Sequence, residues 1–417
     1  MKAFAVKGHI CSSTDPDQIK IYENSYLICR DGRCDGIYKT LPADLPVTDF
    51  GDRILIPGMS DLHIHAPQFS YRGLGMDMEL LDWLNTHAFP EEAKYADLDY
   101  AERAYDQFVS HLKRSETTRA SVFATLHPEA TKLLMEKMEA SGLVSYVGKV
   151  NMDRNSPDYL CEKNAAEDTR RWLMDTVGRW EHTKPIITPR FIPSCSDELL
   201  YELGALSEEF SVPVQSHLSE NLSEIQWVRE LVPDAVNYGD AYEKFGLFGN
   251  TQKCIMAHCV YSDDEEIAKM KEKGVFIAHS PESNMNVSSG VAPINRYLDA
   301  GLHVGLATDV AGGSHESMFR AMTHAIQSSK LRWRLLDQSV PPLTFDRAFY
   351  MATKGGGAFF GKVGAFEDGY EMDLIVLDDH NLDHPQPLTV RERLERVAYL
   401  GDDRNIYGKY VAGNRLF

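Results

Sequence analysis

Five residues able to bind or serve a divalent metal are spread along this chain, each at or near the end of a short apolar run. They are His63 and His65 in PGMSDLHIHAPQ, His217 in VPVQSHLSEN, His258 in KCIMAHCVYS and Asp309 in HVGLATDVAGG. Pro, Gly or polar residues follow each run. Together the five span 247 positions, so a single site built from them requires a large closed fold whose strand ends converge. A metal held this way beside an acid makes water a nucleophile at neutral pH. The pattern points to a metal-dependent hydrolase.

The surrounding texture agrees with a closed α/β fold. From Pro57 to Gly364, apolar strand-like runs alternate with amphipathic helical segments, as in a parallel sheet. Strands are expected at Leu55–His65, Ala120–Thr125, Leu143–Val150, Pro185–Thr188, Pro213–Ser216, Lys253–Ala257, Val275–Ala278 and His303–Thr308. Helices are expected at Leu98–Lys113, Thr131–Ser141, Ala165–Trp180, Asp197–Phe210, Ser223–Leu231, Asp263–Lys273 and His315–Ser329. Eight strands are the number of a (β/α)8 TIM-like barrel. An open doubly wound sheet would carry a Gly-rich phosphate loop near its first strand, and none is there. The ends of the chain, 1–56 and 365–417, read as β-runs without helices, so a small β-sandwich domain formed from both termini is expected to flank the barrel at 57–364.

Composition narrows the function. At 417 residues with 43% apolar and 25% charged residues, the chain can bury a full core. A formal charge of −19 repels phosphate backbones and anionic surfaces, which argues against nucleic-acid and membrane partners. No run of eighteen apolar residues is present, and Lys7, Gly8 and His9 interrupt the N-terminal run where a signal-peptide core would lie. Seven scattered cysteines suit a reducing, cytoplasmic setting. The absence of C-x-x-C weighs against a zinc ribbon and against zinc deaminases of the C-x-x-C type.

The chemistry can be weighed residue by residue. On a strand, His63 and His65 face the same side and can reach one point; alone, the pair is equally compatible with buried, satisfied histidines. Glu220, three residues past His217, is placed to work as a proton carrier, or Ser219 and Glu220 could cap the following helix. His258 suits a place beside the metal, hydrogen-bonding the attacking oxygen or a substituent of the reacting carbon, and a core histidine is its plain alternative. Asp309 could ligate the metal or cap a turn. Only four positions are needed around a catalytic zinc if one stays open for water. Lys149 in SYVGKVNMD could be a modified, metal-bridging lysine; an ordinary strand-end lysine is the default, and one metal with it.

The set HIH, HxxE, AHC and TDVAGG resembles the amidohydrolase superfamily. Within it, PGMSDLHIHAPQ, LLDWLNTHAFPEE, VGKVNMDRN, ITPRFIPSCS, QSHLSEN, IAHSPESN, GLATDVAGG and GDDRNI resemble the guanine deaminase family, from residue 57 to 406. The resemblance implies one zinc per chain on His63, His65, His217 and Asp309, with iron or manganese as alternative metals. It implies proton transfer by Glu220, assistance to the water by His258 and Asp309, and purine contacts from Gln68, Arg190 and Phe191 beside His217, Glu220 and Asp309. Hydrolysis of guanine to xanthine and ammonia in purine catabolism or salvage follows, with a homodimeric assembly. The residue chemistry agrees: Gln68 offers a donor and an acceptor, Arg190 can donate to a 6-oxo group, and Phe191 can stack on a planar ring. Adenine would leave Arg190 unpaired, at roughly 1–3 kcal/mol. Trp83 and Leu84 could close the pocket or belong to the core, and His279 could line the site or be structural. Ile192 and Pro193 stand where the family commonly has a small hydroxyl residue.

Three rivals share parts of this pattern. A deaminase of triazines or pterins shares the metal residues but not the TPRF and HAPQ blocks. A binuclear cyclic-amide hydrolase requires a carboxylated Lys149. A non-catalytic relative would have lost ligands, and every one is retained here.

Overall fold

The computed structural model describes residues 3–42 and 44–417; Met1, Lys2 and Ala43, within the expected N-terminal β-segment, lie outside the described residues. Four strands lead the chain: β1 (Ala3–Asp15), β2 (Gln18–Arg30), β3 (Arg33–Tyr38) and β4 (Val47–Pro57). The barrel staves follow as β5 (Met59–His65), β6 (Thr117–Phe123), β7 (Val144–Gly148) with its extension β8 (Val150–Asn151), β9 (Thr183–Pro185) with β10 (Thr188–Pro189), β11 (Val214–Leu218), β12 (Cys254–His258), β13 (Phe276–His279) and β14 (His303–Leu306). β15 (Leu374–Leu377), β16 (Ile406–Val411) and β17 (Asn414–Arg415) end the chain.

The staves pair in parallel as β5-β6-β7-β9 and β11-β12-β13-β14. Two seams join these halves. Ile187 bridges Val214, donating to Pro213 O at 2.9 Å while Gln215 N donates to Ile187 O at 2.9 Å. On the other side Asp309 N donates to His63 O at 2.9 Å and His65 N to Val310 O at 3.0 Å. The result is a TIM-like (β/α)8 barrel. All seven residues of β5 and of β6 are buried, because helices cover the outside of a parallel sheet and side chains fill the inside. The second seam matters for chemistry: it hydrogen-bonds the strand carrying two of the predicted ligands to the segment carrying a third.

The expected strand Leu55–His65 is two strands. β4 pairs antiparallel with β15 and parallel with β1, whereas β5 pairs with β6. Gly58 makes the crossing: a Cβ there would lie 2.3 Å from Thr118 Oγ1, so only glycine lets the chain pass from one sheet to the other. An unbroken apolar run gives no sign of such a handover. The β-unit expected from both termini is one mixed sheet ordered β17-β16-β15-β4-β1-β2-β3, with its own core of Val6, Ile10, Leu27, Leu55, Leu374 and Val376.

Helix ends shift for local reasons. The helix expected at Ala165–Trp180 stops at Thr176, because Val177 turns extended and Gly178 takes φ +71°. The helix expected at His315–Ser329 runs instead over Met318–Leu335. Ser317 caps it, accepting from Arg320 N, and the buried Glu116 carboxylate accepts from Met318 N at 3.1 Å.

Candidate active site

The ends of β5, β11, β12 and the turn after β14 bring His63, His65, His217, His258 and Asp309 together. Two overlapping groups, His63/His65/His217 and His63/His258/Asp309, each have their candidate ligand atoms within 4.8 Å of one another. His63 Nε2 lies 3.2 Å from His65 Nε2 and 3.1 Å from Asp309 Oδ1, and His65 Nε2 lies 3.4 Å from the same carboxylate oxygen. The ring of His217 sits 4.8 Å from that of His63. His258 and Asp309 hold φ of +72° and +48°, in the left-handed region that side chains other than glycine enter at a cost and that clusters at functional sites.

Asp61, two residues before His63, ties the seam. Its Oδ1 accepts from His63 N at 3.2 Å and Thr308 N at 3.1 Å, and its Oδ2 accepts from the Thr308 hydroxyl. Burial raises its pKa to about 7 against these hydrogen bonds. The backbones bearing His63 and Asp309 are thus held through one carboxylate.

The donor set fits a divalent metal. Burial holds His63, His65 and His217 below the usual histidine pKa, so the imidazoles are neutral and offer lone pairs at neutral pH. His217 Nδ1–H donates to Arg190 O at 2.6 Å, which leaves its Nε2 free to ligate, the arrangement typical of metal-binding histidines. Burial pushes Asp309 up, but His63, His258 and His65 outweigh it and hold the carboxyl ionised, well below the ordinary range.

Glu220 and His258 stand beside this cluster. His258 Nδ1–H donates to Asn284 Oδ1 at 2.9 Å, and its Nε2 faces Glu220 Oε2 at 3.4 Å and Asp309 Oδ2 at 3.7 Å. Burial lowers the pKa of His258, yet the two carboxylates outweigh it and the net shift is upward. Glu220 is raised by burial, and its Oε1 accepts from Ser289 Oγ at 3.0 Å. The helix Leu222–Leu231 is capped not by Ser219 and Glu220 but by a capping box of Asn221 and Glu224. Glu220 is therefore released from helix capping to face the cavity. The capping box N-L-S-E begins at Asn221, directly after the Ser219–Glu220 pair that the sequence offered as the cap.

A cavity opens over these groups. Its lining includes His65, His217, Glu220, His258 and Asp309 from the cluster, and Gln68, Arg190, Phe191, Trp83 and Leu84 from the predicted wall. Leu80, Glu224, Ser283, Val287 and Gly312 also line it, none of them singled out by the sequence. His279 is buried with neither ring nitrogen hydrogen-bonded among the described residues, and burial lowers its pKa to about 3; it is absent from the cavity lining. Lys149 stands apart from the ligand cluster: its Nζ donates to Glu162 Oε1 at 2.5 Å, Asn151 Oδ1 at 3.1 Å and Val150 O at 3.2 Å.

A family model described as the amidohydrolase family matches residues 54–416. A guanine deaminase of Dictyostelium discoideum is 38% identical over 380 residues, covering 89% of this chain and 84% of its own. The guanine deaminase of Escherichia coli K12 is 32% identical, covering 99% of this chain and 97% of its own. A crystal structure of guanine deaminase from C. acetobutylicum, with guanine bound in the active site, matches with a TM-score of 0.97 at 46% identity over 100% of both chains.

Proposed function

The chain belongs to the amidohydrolase family, and from that premise we propose that it hydrolyses guanine to xanthine and ammonia. The observation that carries this reading is one cavity in which Glu220, His258 and Asp309 face the histidine cluster while Gln68, Arg190 and Phe191 face the same space. The likeness to guanine deaminases, one of them with guanine bound, supports the choice of substrate.

In this reading His63, His65, His217 and Asp309 hold the metal, and Glu220, His258 and Asp309 serve catalysis. A His3Asp set with an open position suits zinc, one ion per chain, which when bound supplies the Lewis acidity that makes water nucleophilic at neutral pH. Phe191 stacks on the purine, Gln68 hydrogen-bonds its edge, and Arg190 donates to the 6-oxo oxygen. Glu220 takes a proton from the attacking water and delivers it to the ring nitrogen next to C2, which makes that carbon electrophilic. His258, oriented by Asn284, donates from Nε2 toward the oxygen adding at C2. Glu220 then carries the remaining proton from the added oxygen to the amino group, which leaves as ammonia as the C2 carbonyl forms. Trp83 and Leu84 form the apolar wall that keeps bulk water from the ring.

The same reading places the enzyme in the cytoplasm as a homodimer without membrane or nucleic-acid partners; the charge of −19 supports the last point, and no helix among the described residues is long and apolar enough to cross a membrane. Sheet membership supports a division into 1–56 and 365–417 as the β-unit and 57–364 as the catalytic barrel.

The test is ammonia release from guanine by purified protein, with metal counted on the same sample and Glu220→Gln as control. Xanthine formation with about one zinc per chain, lost in the variant while zinc stays, is the expected result. Metal-loaded protein that leaves guanine untouched would remove guanine as the substrate.

A further inference from the structure

Two residues that the preceding reading assigns to purine binding, Gln68 and Arg190, come from distant parts of the barrel, yet one buried carboxylate holds both. Glu92, 2% exposed, lies at the end of the short segment Phe89–Glu92 and is not part of the cavity lining. Its Oε1 accepts from Gln68 Nε2 at 2.8 Å, and its Oε2 accepts from Arg190 Nη1 at 2.5 Å. The same segment supplies Phe89, whose ring centroid lies 5.0 Å from the Arg190 guanidinium carbon. The far side of the Gln68 amide is also held: its Oε1 accepts from Ala311 N at 3.2 Å, two residues past Asp309.

These contacts decide what the pocket can offer. A flipped Gln68 amide would turn its oxygen toward the Glu92 carboxylate and its NH2 toward the Ala311 N–H, two repulsive contacts in place of two hydrogen bonds. The amide is therefore locked with NH2 toward Glu92, and one N–H of that group remains for a ligand. Arg190 gives one N–H of its five to Glu92 and stacks on Phe89, which leaves the rest of a rigid donor fork. Both side chains thus reach the cavity chiefly as donors. A wall of fixed donors selects a planar ring with an oxo group and a neighbouring acceptor nitrogen, and it rejects rings without the oxo group because buried N–H groups would go unpaired.

We propose that Glu92 is a positioning residue that sets this oxo-purine selectivity by holding Gln68 and Arg190 as paired donors. The proposal rests on the purine reading above but concerns binding, so it can be tested apart from turnover. Equilibrium binding to the metal-loaded protein is measured by calorimetry for wild type, Glu92→Gln and Glu92→Asp. The ligands are hypoxanthine, which carries the 6-oxo group without the 2-amino group, and purine, which carries neither. Glu92→Gln can accept through only one oxygen and sets an amide N–H against the other donor. Glu92→Asp keeps the charge but is too short to reach both partners.

Both variants are expected to bind hypoxanthine roughly tenfold or more weakly, with purine binding changed about twofold or less and metal content unchanged. With guanine, KM should rise more than kcat falls. Unchanged hypoxanthine binding in both variants would overturn the proposal. So would an equal loss for both ligands, or loss of fold or metal in both variants, since a purely structural residue behaves that way. If wild type binds hypoxanthine better than purine yet releases no ammonia from guanine, the deamination reading fails and the role of Glu92 is still decided by the variants.

Discussion

Asn284 Oδ1 accepts from His258 Nδ1 at 2.9 Å, and this one bond decides which nitrogen of His258 faces the cavity. With Nδ1–H engaged, Nε2 is the atom turned toward Glu220 and Asp309. Removal of the partner frees the ring to rotate. We expect Asn284→Ala to lower kcat by roughly 10- to 100-fold, the usual effect of losing a group that orients a histidine beside a metal, with KM for guanine close to wild type. Steady-state kinetics with metal content measured in parallel check this; an unchanged kcat would show that His258 is held by other means.

Asp61 is a second relationship of this kind, since it joins β5 to the turn after β14 through two hydrogen bonds from Thr308 and accepts a third from His63 N within β5. Thr308→Val removes only the hydroxyl donor and should cost about 1 kcal/mol of stability. Asp61→Ala strands three buried donors and should cost several times more, about 3–5 kcal/mol, and should weaken metal retention because one of the ties between the His63 and Asp309 segments is lost. Urea unfolding of both variants separates the cases, and equal costs would contradict the assignment.

Lys409 gives a pH dependence remote from the active site. Burial lowers its pKa from 10.5 to about 7, against the pull of Glu116 and Asp373, and its Nζ donates to Thr117 O at 2.7 Å and Leu112 O at 3.4 Å. The folded pKa lies below the unfolded one, so between about pH 7 and 10.5 the unfolded chain binds more protons and this group's contribution to stability rises with pH. Below pH 7 its penalty is full. The stability of wild type minus that of Lys409→Met should therefore climb by up to about 1.4 kcal/mol per pH unit across that window. A difference that stays flat from pH 6 to 10 would mean that Lys409 remains charged when buried.

Metal removal should silence the enzyme without unfolding it. The barrel core and the terminal sheet have their own apolar clusters, so the chelated protein should keep its far-ultraviolet circular dichroism. It should melt at a lower temperature, since a ligand that binds only the native state stabilises it by mass action. Zinc should restore turnover at about one ion per chain. Lys149, engaged by Glu162, should carry no carbamate, and intact-mass measurement or a second metal equivalent would reveal one.

Much of the barrel was legible because its signals are local. A buried parallel strand is a short apolar run, and period two puts His63 and His65 on one side whatever lies around them. Helix starts are local too where side chains cap them, as Asn221 and Glu224 do. Boundaries went astray where a distant segment intervened: the apolar run Leu55–His65 divides between two sheets because Thr118 packs against Gly58.

The sequence by itself therefore determined the residue types of the site, their order along the chain and their places at strand ends, since each depends on a few neighbouring residues. Only the tertiary structure decided how those residues are held. Glu92 bridging Gln68 and Arg190, Asn284 orienting His258, and Asp61 tying His63 to Thr308 are pairs between segments far apart in sequence. A carboxylate or amide in a sequence looks the same whether it faces water or a buried donor. Its partner is chosen when the barrel closes, because burial then makes every unpaired polar group costly.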